Sequence, residues 1–89
     1  MDLVLIPREQ DKEYVRKTYA QFINENEDVL VAAYNREAKL GLVGVTKQGL
    51  HLIGLHHVFM ERFGVSPIIL NGGMVSLTGI LDSIRRVAF

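Results

Sequence analysis

Charge is distributed very unevenly along this sequence. Of its twenty Asp, Glu, Lys and Arg residues, thirteen lie between residues 8 and 39, and only Lys47, Glu61 and Arg62 lie between residues 40 and 81. A segment that long with three charges cannot present an ordinary hydrated surface. It must supply the core of the fold, a surface that another molecule covers, or both. With 89 residues, the chain has room for one small domain spanning residues 1–89, and a domain of this size hides only about 60–65% of the surface its unfolded form exposes. Apolar residues make up 48% of the chain and the mean hydropathy is +0.17, which excludes a disordered polymer.

Several function classes fall away on composition. Ten basic residues balance ten acidic ones, so no net field draws the chain to nucleic acid or to an anionic membrane. There is no cysteine, hence no disulfide, thiolate metal ligand or nucleophilic thiol. The run from Phe63 to Leu81 carries no charge over nineteen residues, nominally enough to cross a bilayer. Gly64, Pro67, Asn71, Gly72, Gly73 and Gly79 punctuate it, and the backbone groups freed at such turns would go unpaired in hydrocarbon. No membrane span is expected. At the start, Asp2 and the short apolar stretch Leu3 to Ile6, ended by Pro7 and Arg8-Glu9, do not resemble a secretory signal. The expectation is a soluble, cytoplasmic protein.

The charged block reads as two helices. Tyr14, Val15, Thr18, Tyr19, Phe22 and Ile23 share half of a helical wheel, which predicts an amphipathic helix over residues 8–24. A second helix is predicted over residues 27–40, with Asn24 or Asn26 as its cap and Gly41 as its stop. The third is predicted from Thr46 to Gly64. Leu52, Ile53, Leu55, Phe59, Met60 and Phe63 form its apolar arc, with His56 in the middle, and His51, His57, Glu61 and Arg62 take the remainder. As the most apolar helix, it is expected at the centre. Two short apolar runs, residues 66–70 and 74–78, flank Asn71-Gly72-Gly73, a hairpin signal. Residues 2–6 are available as a third strand, since an isolated hairpin is marginal in water. Residues 80–88 fit a helix or a further strand. The predicted class is α+β, a three-helix cluster closed by a small antiparallel β-hairpin or sheet.

Motifs that carry chemistry are sparse. His51, His56 and His57 are spaced five and one apart, whereas ligands on one helical face need a spacing of three or four. His57 and Glu61 have that spacing but make two ligands at most. His56 is expected to be buried, neutral and hydrogen-bonded to a backbone carbonyl. Residues 44–49 match the glycine gap of a phosphate loop, but Leu50-His51 follows where Lys and Ser/Thr are required. The turn glycine Gly44, with Lys47, Gln48 and His51 on the following helix, has the outline of a helix-turn-helix, without the basic patch that supplies most affinity for DNA. Ser66, Ser76 and Ser83 lack the glycines of an activated serine.

The sequence therefore points to a small non-catalytic interaction module. It is expected to form a homo-oligomer, or bind a protein partner, through its apolar C-terminal half, with Ile68, Ile69, Leu70, Met74, Val75 and Leu77 at the interface. No cofactor or metal is implied. The alternatives are a nucleic-acid-associated regulator built on the segment around Gly44, and a small ligand-binding or enzymatic domain using His56 or His57.

Overall fold

The computed structural model describes residues 3–4, 9–42, 46–71 and 74–81. Three helices precede a hairpin, in the order β1 (Leu3–Val4), α1 (Glu9–Phe22), α2 (Glu27–Leu40), α3 (Thr46–Phe63), β2 (Ile68–Asn71) and β3 (Met74–Leu77). The fold is α+β, as predicted. The strands form one antiparallel sheet of order β1-β3-β2, in which Leu3 pairs with Val75 and Ile69 with Ser76. The opening of the chain thus supplies the third strand. Ile80 and Leu81 belong to neither helix nor strand. Residues 82–88, the Gly44 turn and Gly72-Gly73 lie outside the described residues.

Local chemistry sets the helix limits. Asn26, rather than Asn24, caps α2: its backbone is extended (φ −73°, ψ 165°) and its Oδ1 accepts from the Val29 amide at 3.0 Å, which satisfies one of the amides a helix start leaves free. Glu27 and Asp28 sit in the first turn and Lys39 in the last, as the helix dipole favours. Gly41 ends the helix at φ +79°, its amide bonded to the Glu37 carbonyl; that backbone region disfavours a side chain. Arg62, expected on the solvent arc of α3, reaches across to donate to the carbonyls of Ile23 and Glu25, 2.9 and 2.5 Å away. It closes the end of α1.

Helix α3 packs against α1, α2, β2 and β3, which confirms it as the central element. It is consequently buried on more sides than a simple amphipathic pattern allows: Gln48, Gly49, Leu50, Leu52, Gly54, Leu55, Val58 and Phe59 are all covered. Leu30 and Tyr34 from α2, with Ile68 and Val75 from the sheet, complete the core. Met60, assigned to the apolar arc, is instead 44% exposed, on the wall of a groove between α3 and α1.

The α1–α3 seam explains this. A Cβ built on Gly54 would lie 2.6 Å from the Thr18 Cβ, closer than such atoms pack, and 3.1 Å from the Val15 carbonyl oxygen, tighter than most such contacts. The two helices therefore touch along small groups. Thr18 and Asp11, seven residues apart on α1, are buried. The larger side chains Tyr14, Val15, Tyr19 and Phe22 are only half-buried. Open grooves flank the seam on both sides.

Residues 78–81 are strapped onto α2. The Tyr34 hydroxyl donates to the Gly79 carbonyl at 2.7 Å and accepts from the Thr78 amide at 3.2 Å. The Asn35 amide group takes both backbone groups of Leu81, donating to its carbonyl at 2.7 Å and accepting from its N–H at 2.8 Å.

Candidate functional site

The hairpin follows the two-residue alternation of a pleated sheet. Ile68, Leu70, Val75 and Leu77 point inward: Ile68 and Val75 are core residues, and Leu70 and Leu77 pack against the core half-covered. Ile69, Asn71, Met74 and Ser76 form the outer face. Of the six side chains expected at an interface, Ile69 and Met74, at 48% and 37% exposure, are the ones open to a partner, while the other four are committed to the chain's own core. No charged residue stands on this outer face in β2 or β3.

Strand β2 is an edge of the sheet. The Thr78 amide donates to the Pro67 carbonyl at 3.1 Å, so by the antiparallel alternation Pro67, Ile69 and Asn71 turn their backbone groups toward β3, and Ile68 and Leu70 turn theirs outward. Both outward groups of Ile68 are occupied. Its amide donates to Ser66 Oγ at 3.0 Å, and its carbonyl lies 2.8 Å from His56 Nδ1. A carbonyl only accepts, so Nδ1 carries the proton and Nε2 the lone pair.

The carbonyl partner expected for His56 is thus present, though the ring is half-buried rather than fully enclosed. Burial still holds its imidazole below the ordinary value; the bond to Ile68 opposes that, and neighbouring His57 adds to it. His51 departs from expectation in the opposite direction. Placed on the polar arc by its position in the helix, it is half-buried, with its ring edge-on to Phe22 at 5.7 Å. Burial lowers its pKa too, with Glu37 opposing and Arg36 reinforcing.

His57 is exposed on the wall of a groove of about 760 Å³ between α1 and α3, whose apolar lining comes from Val15, Ile53 and Met60. Across the same groove Tyr19 donates to the Glu61 carboxylate. That bond holds the Tyr19 phenol above its usual value, with burial and the carboxylate charge adding to the effect. Nothing in the sequence pairs these residues, 42 positions apart. Among the described residues no Ser, Thr or Cys lines the groove beside His57. Among the described residues no group of three or more His, Cys, Asp or Glu is placed to hold a metal ion.

On the other side of α1, Arg36 and Lys47 line a cleft of about 500 Å³ together with Glu37, Gln48 and His51. Gln48 was expected to face outward from the segment after Gly44; it is instead buried and donates to the Gly41 carbonyl at 2.7 Å. With His51 half-buried as well, only Lys47 of those three residues is exposed. Among the described residues, no helix is long and apolar enough to cross a membrane. Comparison with protein-family models, curated proteins and solved structures finds no match to this chain.

Proposed function

We propose that this protein is a non-catalytic interaction module that associates with a second copy of itself through the outer face of its hairpin. The supporting observation is the uncharged outer row of Ile69, Asn71, Met74 and Ser76, two of whose members are exposed apolar side chains in a chain whose polar helices are amply hydrated. A face without charge meets its own image with no like-charge repulsion, as a two-fold interface requires. Replacing both apolar members, Ile69→Lys with Met74→Lys, sets like charges against each other there and leaves the inward residues intact. Light scattering should show the wild type associating and this double variant monomeric with an unchanged fold. Association that survives both substitutions rules out this face.

A second reading is a carrier of small apolar molecules, supported by the groove between α1 and α3, whose volume lies within the usual ligand range. Ile53→Trp would fill it. Loss of binding of an apolar fluorescent dye in that variant supports the carrier, and unchanged dye binding counts against it.

A further inference from the structure

We propose that His56 and Ser66 form a latch on the open edge of the sheet, which keeps β2 from accepting a strand of a second copy of this chain. An edge strand presents unpaired amides and carbonyls that template pairing with another chain, and proteins blunt such edges in specific ways. Here the blunting comes from outside the strand. His56 is contributed by α3 and covers the Ile68 carbonyl; Ser66, two residues before Ile68, covers its amide. Beyond the latch, Leu70 is the residue of β2 that still turns both backbone groups outward, and one residue cannot hold a ladder. The latch also ties α3 to the sheet, so the ring has two effects to be separated: anchoring β2 and closing its edge.

The latch deepens the self-association reading, because it leaves the face of the hairpin, not its edge, as the place where a second copy docks. It does not depend on that reading, since an edge can be closed in a monomer too. The test compares His56→Phe combined with Ser66→Ala, which keeps an aromatic ring but removes both bonds, with Val58→Ala, a core truncation that leaves the latch intact. At temperatures chosen so that the two variants are equally stable, the latch variant should assemble beyond a dimer by sedimentation velocity, with the infrared signature of intermolecular strands, and Val58→Ala should show neither. An equal intermolecular-strand signature in the two variants, or none in either, overturns the latch. In the wild type, the 15N shifts of His56 should show a protonated Nδ1 and a bare Nε2; the opposite tautomer also overturns it. A monomeric wild type with a strand-adding latch variant would refute the self-association reading and uphold the latch.

Discussion

Gly54 is the residue on which the helix arrangement turns. A methyl group there meets the Thr18 side chain at a distance real Cβ contacts essentially never show and the Val15 carbonyl at one tighter than most, and the carbonyl is backbone that cannot rotate away. Gly54→Ala should gain ~1 kcal/mol of helix propensity and lose more than that to overpacking, which costs about 1–3 kcal/mol. The net change expected is a lower urea midpoint, partly restored by adding Thr18→Gly; a midpoint that rises in the single variant would mean that the helices are not in contact there. His51 and His56 make the second residue-scale prediction. Burial keeps both folded-state pKa values below the unfolded value of ~6.5. As pH falls, the unfolded chain takes up these protons first. Stability is therefore full above ~6.5 and declines as pH drops through the interval down to the folded values. Denaturant midpoints between pH 7.5 and 5 should show that decline, reduced in His51→Gln and in His56→Phe and smallest in the double variant. The same slope in all four proteins would mean that both rings are fully solvated.

At the scale of elements, α2 serves as a post to which residues 78–81 are tied. Asn35→Ala removes both bonds to the Leu81 backbone and leaves a partly buried amide and carbonyl without them, a loss of about 1–3 kcal/mol. Amide exchange at Leu81 should accelerate well beyond that at Leu30 in the same variant; uniform acceleration would show that the strap is not a local feature. The limits of α2 were legible in the sequence because caps and stops are local: Asn26 and Gly41 act on neighbours a few residues away. The seam, the strap and the reach of Arg62 were not legible. Each depends on a partner 36 to 46 residues distant, which no helical wheel contains. His51 and Met60 changed places for the same reason. A wheel finds the apolar side of an isolated helix, but α3 is covered from several directions, and its exposed strip is set by where α1 lies.

For the whole molecule, the segregation of charge is resolved in two ways. Most of the charge-poor segment supplies the core, through Leu50, Leu52, Leu55, Val58, Phe59, Ile68 and Val75. Another part of it, Leu40, Met60, Ile69, Met74 and Ile80, stays exposed. Hairpin alternation was readable in the residues, and so was the surplus of apolar side chains on whichever face the helices did not cover. Which four of the six hairpin residues turn inward was not, since a one-residue change of register exchanges the faces. Self-association through the outer face is the central claim, and sedimentation equilibrium of the unmodified protein over a wide concentration range tests it most directly. The weight-average mass should rise with concentration from the 10.0 kDa of one chain toward twice that value; a mass that stays at 10.0 kDa at the highest concentration contradicts it.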